Sequence, residues 1–228
     1  MKLISLILCF LCVACSTQKH THNSPQVSDN AKFLKDDLDV KLWQERFENR
    51  DRDVYKNKDQ IVQNLQLKAG DRVVDVGAGT GFFLKPLHDQ VGEKGLVYAV
   101  EISPAFVKFL RARGDKEGLT NLKVIKGGLD QTNLPIGSVD KVFVCDTYHH
   151  FDKPQNMLDD FRKILKPGGE LIIVDFDREK GKSREWIAKH IKLSKEDYIN
   201  QIQGYGFELK RESGDFLTEN FMLHFKVK

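Results

Sequence analysis

Past its fifteenth residue the chain holds one cysteine, Cys145; the other three, Cys9, Cys12 and Cys15, crowd into the first fifteen positions. A lone cysteine in the body excludes an intramolecular disulfide framework there. Its simplest role is that of a small apolar residue in a strand. An excess of one charge sign is missing too: 36 basic and 33 acidic side chains leave +3, too little to argue for nucleic acid or a membrane surface. No motif repeats at a fixed period, and no low-complexity tract exceeds the polar segment after residue 15, which excludes solenoids and arrays. No apolar run reaches the ~20 residues that a membrane-spanning helix requires. What remains is ordinary for a globular protein, 40% hydrophobic and 30% charged over 228 residues. That length suits one α/β domain with a short extension.

Met1 and Lys2 precede about a dozen apolar residues that end in Val13-Ala14-Cys15. A positive end followed by a short apolar stretch matches a secretory signal. The ending is similar to the lipobox of bacterial lipoprotein signals, in which the cysteine is lipidated, although Cys12 stands where that pattern usually has leucine. The polar residues that follow read as a flexible tether. The expected organisation is a signal over 1–15, a tether over 16–38 and a folded domain over 39–228. The expected location is the bacterial cell envelope, with the chain exported and lipid-anchored; the alternatives are an uncleaved anchor or a misassigned start, and a cytoplasmic protein.

The folded part is organised around residues 73–83, Val-Val-Asp-Val-Gly-Ala-Gly-Thr-Gly-Phe-Phe. β-Branched residues closed by turn residues predict a buried parallel strand. Glycines at 77, 79 and 81 let the backbone take positive φ and pass close to a ligand, and the helix that follows points its free N–H groups at the turn. A dinucleotide fingerprint would place its third glycine at 82, where this chain has Phe82.

With Asp75 upstream, Asp75-Val76-Gly77-Ala78-Gly79-Thr80-Gly81 resembles motif I of the class I S-adenosylmethionine-dependent methyltransferases. Three further stretches agree in order and spacing. Glu101 ends a second strand over 96–101 and is followed by Ile102-Ser103-Pro104, as in motif II, where the acidic residue accepts both ribose hydroxyls. A third strand covers 122–126, and its following loop flanks the adenine in the family; Gly128 takes the usual aspartate position, which moves the candidate contact to Asp130. Lys166-Pro167-Gly168-Gly169 turns a helix over 157–165 into a fifth strand over 170–176, as in the same enzymes. The resemblance implies a Rossmann-like α/β fold: a seven-stranded, mostly parallel sheet with helices on both faces and an antiparallel C-terminal hairpin. It also implies an enzyme that binds S-adenosyl-L-methionine through Asp75, Gly77, Ala78, Gly79, Thr80, Gly81, Glu101 and Ile102. Residues 39–67 have a helical pattern, and in the family this segment covers the cofactor; Arg52 and Tyr55 are its candidates to reach the methionine carboxylate or the ribose.

The fourth strand, 138–146, ends in Asp146-Thr147-Tyr148-His149-His150. Ligands of open α/β sheets lie beyond the carboxyl ends of the strands, so these residues fall where the transferred methyl group would be. Asp146 is a candidate cofactor contact, and Tyr148, His149 and His150 are candidate catalytic groups, a histidine being able to take a proton near neutral pH. The alternative is that one histidine caps the next helix and the other packs under it. Asp175, at the end of the fifth strand, is a further candidate to meet substrate. Base-modifying relatives carry two prolines where this chain has Thr147 and Tyr148, so a nucleic-acid acceptor is disfavoured and a small molecule expected. No metal is expected, because adjacent histidines share an ion poorly and no second ligand cluster is visible. Two rival readings are a binding protein that keeps the fold without catalysis and an envelope lipoprotein that acts by interaction. Export sharpens both, since S-adenosylmethionine is made and used inside the cell.

Overall fold

The computed structural model describes residues 29–178 and 183–228. The expected signal and most of the expected tether lie outside the described residues. Seven strands form one sheet: β1 (Arg72–Val76), β2 (Leu96–Glu101), β3 (Leu122–Lys126), β4 (Val139–Cys145), β5 (Leu165–Phe176), β6 (Phe207–Ser213) and β7 (Asn220–Val227), in the order β3-β2-β1-β4-β5-β7-β6. β1 to β5 pair in parallel, while β7 runs antiparallel to β5 and β6. The near-continuous apolar runs of β1, β2 and β5 follow from burial on both faces.

The helices are α1 (Val40–Phe47), α2 (Asp53–Lys56), α3 (Lys58–Asn64), α4 (Leu84–Val91), α5 (Pro104–Glu117), α6 (Pro154–Ile164), α7 (Glu185–His190) and α8 (Lys195–Gly204). Alternation along β1 divides the core. Val73 packs with Leu84 and Leu87 of α4 on one face, and Val74 and Val76 pack with Phe161 of α6 on the other. β1 lies between β2 and β4, so the strand order reverses there and opens a crevice beyond the carboxyl ends of the strands.

Two boundaries differ from expectation. The helical pattern over 39–67 breaks into α1, α2 and α3, because Glu48–Arg52 leave the helix to reach other elements. The turn expected at 166–169 is absorbed into β5, whose pairing slips between Val139 and Lys141, with Gly168 at φ +81° taking the bend.

Candidate active site

The crevice is a cleft of about 1090 Å³, counting its open mouth. Its floor is the turn after β1. Gly77 and Gly79 hold φ of +76° and +54° there, a region that side chains disfavour. A Cβ on Gly77 would fall 2.3 Å from Thr147 Cγ2, so only glycine lets the β1 turn lie against the residues after β4. Gly77, Ala78, Gly79 and Thr80 all line the cleft. Gly81 does not: its φ is +85°, and an added Cβ would meet Leu110 and Leu84 at 2.8 Å. The expectation that Gly81 contacts cofactor is therefore corrected to a packing role, in which it lets α4 and α5 approach the strand.

Glu101 closes the floor. At the end of β2, and only 6% exposed, its carboxylate accepts from Gly79 N and from Ser103 N, both at 2.9 Å. Burial raises its pKa against the opposing pull of these backbone N–H groups. A carboxylate offers about four acceptor positions, so two remain for a pair of neighbouring hydroxyls. Ile102 lines the cleft beside it, and Asp75 lies below. Burial, and then the nearby Glu101 charge, push Asp75 up to about 7.

The roof comes from the segment before β1. Phe47 of α1 lies over the turn, 3.3 Å from where a Gly79 Cβ would be. Phe33, Trp43 and Phe106 pack with it. Glu48 pins the roof by accepting from Thr80 Oγ1 at 2.9 Å and from Arg113 at 2.6 Å. Two residues of the preceding stretch join this structure: Phe33 is buried, and Asn30 donates to the His150 carbonyl at 2.8 Å. Within the tether expected to run to residue 38, Asn30 and Phe33 thus pack on the domain, while residues 34–37 are exposed. Arg52 lines the cleft and pairs with Asp146 at 2.5 Å. Tyr55 stacks on Phe82 with centroids 5.2 Å apart and is not among the lining residues; in place of its expected cofactor contact it packs on that ring.

The far wall is set by one backbone event. Asp146 takes φ +46°, which aspartate tolerates better than most residues, and ends β4 in a single 3-10 turn, Tyr148–His150. Successive side chains then diverge. Asp146, Thr147 and His150 line the cleft. Tyr148 points into the core, 2% exposed, with its hydroxyl donating to Gln201 at 2.8 Å, so its expected catalytic role is corrected to a structural one. Asp130, expected near the adenine, is off the cleft wall and accepts from Asn156 at 3.3 Å; Gly128 and Leu129 line the cleft instead. Burial raises Asp146 to about 6, with Arg52 pulling the other way.

Glycine turn, buried ribose-type carboxylate and aromatic roof together fit S-adenosylmethionine: vicinal hydroxyls for Glu101, an adenine between apolar walls, and a cationic centre among Asp75, Glu101 and Asp146. A model of the methyltransferase domain matches residues 67–219, most of the chain. The chain belongs to the methyltransferase-domain family. Among its relatives is the ubiquinone/menaquinone biosynthesis C-methyltransferase UbiE of Coxiella burnetii, 25% identical over 122 residues, covering 53% of this chain and 49% of that protein. Another is phosphoethanolamine N-methyltransferase 1 of Zea mays, 28% identical over 152 residues, covering 66% of this chain and 29% of that protein. The chain spans about half the length of the first curated relatives it matches. Of solved structures, a SAM-dependent methyltransferase from Aquifex aeolicus superposes with a TM-score of 0.73 at 25% identity, covering 83% of this chain and 99% of that one.

Several residues of this methyltransferase-domain site escaped sequence reasoning. Asp175, read as a substrate contact, is wholly buried: its carboxylate lies 2.7 Å from His149 Nδ1 and accepts from Phe176 N at 2.8 Å. His149 sits behind the cleft wall; burial disfavours its charged form, but Asp175 outweighs this and raises its pKa. His150 is lowered to about 3 by burial and by the neighbouring His149 and His190. Asn220 of β7 donates to Asp146 at 2.6 Å, and His190 of α7 packs on both histidines, with centroids 5.0 and 5.4 Å away. The expectation of no metal rested on adjacent histidines sharing an ion poorly and on the lack of a second ligand cluster; the fold brings His190 to the pair from a helix forty positions on. No local signal marks Asn220 or His190, since only tertiary packing brings them in.

Proposed function

We propose that the chain is an S-adenosylmethionine-dependent methyltransferase acting on a small-molecule acceptor. The observation that carries this reading is Glu101, buried at the end of β2 and bridging the glycine turn and the start of α5. It is supported by the family to which residues 67–219 belong. When bound, the cofactor supplies a methyl group already activated on a sulfonium, so an acceptor's lone pair forms the new bond as the S–CH3 bond breaks. The protein's work is then placement and enclosure. Glu101 and the turn fix the nucleoside end, the acidic lining offsets the positive charge, and α1 with Phe47 screens the cleft from water.

Phe33, Phe151 and Met157 line the cleft together with His150. Apolar and aromatic walls favour an acceptor with an apolar body, and the relatives named above are a C-methyltransferase of quinone biosynthesis and an N-methyltransferase of phosphoethanolamine. The absence of a proline pair after Asp146 argues against nucleic-acid bases. Export with a lipid on Cys15 is inferred from the first fifteen residues alone; fractionation and lipid labelling of wild type against Cys15→Ser test it.

Titration of S-adenosylmethionine into the full chain by calorimetry tests the cofactor site. Micromolar binding, about −8 kcal/mol, is expected, with Glu101→Ala weakening it by at least tenfold. A folded wild type that binds nothing would end the enzyme reading. Binding without turnover on any acceptor would instead favour a protein that keeps the fold for binding alone.

A further inference from the structure

We infer that His149, His150 and His190 form a binding site for one divalent transition-metal ion of the zinc class, against the cleft wall that His150 lines. Each offers a ring nitrogen, and the three nitrogens lie within 4.8 Å of one another. In a tetrahedral site with metal–nitrogen bonds of about 2.0–2.1 Å, ligand atoms stand ~3.3 Å apart. Side-chain rotation therefore has to close the cluster by roughly an ångström or more. The three come from two elements: the turn after β4 supplies two, and α7, anchored by the buried Ile187, supplies the third.

Two further observations favour an ion over a merely packed cluster. His150 Nδ1 is buried and has no hydrogen-bond partner among the described residues. Such an orphan costs about 1–3 kcal/mol, which coordination would recover. His149 is held through Nδ1 by the wholly buried Asp175 at 2.7 Å, leaving Nε2 to serve as ligand. A metal-binding histidine characteristically carries a carboxylate on its other nitrogen, which fixes the ring and strengthens it as a donor.

The donor set selects the ion. Three imidazoles without thiolate or carboxylate suit zinc, cobalt, nickel or copper, and not calcium or magnesium, which take oxygen ligands. Three protein ligands leave a fourth position for water or an acceptor heteroatom. His150 lines the cleft, so that position adjoins it. The site itself stands on the histidine geometry; its use in turnover, holding an acceptor oxygen, nitrogen or sulfur near the methyl group, rests on the methyltransferase reading.

The test titrates Co2+ and Zn2+ into the untagged, chelator-stripped full chain and follows the visible Co2+ spectrum and the melting temperature. One ion per chain is expected, with a four-coordinate Co2+ band and a raised melting temperature. His190→Gln and His150→Gln are each expected to weaken binding by about tenfold or more. His20→Ala/His22→Ala, which removes the histidines near the N-terminus, is expected to keep it. S-Adenosylmethionine affinity of folded His190→Gln should match wild type, so loss of the ion and loss of the cofactor are read separately. No stoichiometric uptake by wild type overturns the proposal. So does wild-type affinity in both folded glutamine variants, or loss of the ion in the His20/His22 variant.

Discussion

Arg52 Nη2 lies 2.5 Å from Asp146 Oδ2, joining positions 94 residues apart. The pair ties the segment that roofs the cleft to the point where the chain leaves β4. Arg52 also donates to the Phe47 carbonyl, and the other oxygen of Asp146 accepts from Asn220 at 2.6 Å. With the Asp146 side chain only 8% exposed, removing Arg52 strands a nearly buried charge. Arg52→Ala should therefore cost about 3 kcal/mol of stability and weaken cofactor binding. Arg52→Ala/Asp146→Asn should regain much of that stability, because asparagine removes the charge, can still accept from Asn220 and tolerates φ +46°. Denaturant midpoints at constant m-value measure both; an unchanged midpoint in Arg52→Ala would show that this contact does not hold the roof.

The glycine turn invites a second change. At Gly81 an added methyl has the wrong φ and meets Leu110 and Leu84 at 2.8 Å. Gly81→Ala should lose about 1–3 kcal/mol of stability. Gly79→Ala carries the same kind of backbone strain at φ +54°, and its methyl would press on the Phe47 ring at 3.3 Å, so it should lose stability and, unlike Gly81→Ala, also lose cofactor affinity. Equal losses of affinity at the two positions would contradict the division of roles drawn between them.

Much of the sheet could be read from the chain because a strand buried on both faces writes its burial into a run of β-branched residues, as Val73, Val74 and Val76 do around Asp75. The turn after β1 and Glu101 were legible for a related reason, since backbone approach and a strand-end carboxylate each demand particular residues at particular spacings. The errors cluster where a residue's direction depends on distant packing. Tyr148 stands beside Asp146 in sequence, yet the 3-10 turn sends it into the core against Tyr198. Tyr55 follows Arg52 by three positions but stacks on Phe82 instead of lining the cleft. Asp175 reads as a strand-end group open to the crevice until His149 is seen to occupy it.

Asp53 is a buried anchor for the roof. Its carboxylate accepts from the backbone N–H groups of Thr218, Glu219 and Asn220 at 2.6, 2.8 and 3.2 Å, fastening α2 to the start of β7. Asp53→Ala would leave these donors to find other partners and should cost about 3 kcal/mol. Hydrogen exchange should then speed up over residues 40–56 and 218–220 together, ahead of the sheet. Faster exchange on one side only would mean that the two segments are held separately.

Asp75 sets a pH dependence. Burial and the Glu101 charge hold its folded pKa at about 7, above the ordinary 3.8 of a solvated aspartate. The contribution to stability is complete while the group is protonated in both states. It drains away as pH rises from about 4 to about 7, where only the unfolded chain ionises. Wild type should therefore lose stability across that window relative to Asp75→Asn, by an amount on the order of 4 kcal/mol; a flat difference between the two would place Asp75 among ordinary solvated carboxylates. Entry of a cationic cofactor favours the charged carboxylate and so expels its proton. Below about pH 7, the heat of S-adenosylmethionine binding should then vary with the ionisation heat of the buffer in wild type, and that variation should shrink in Asp75→Asn.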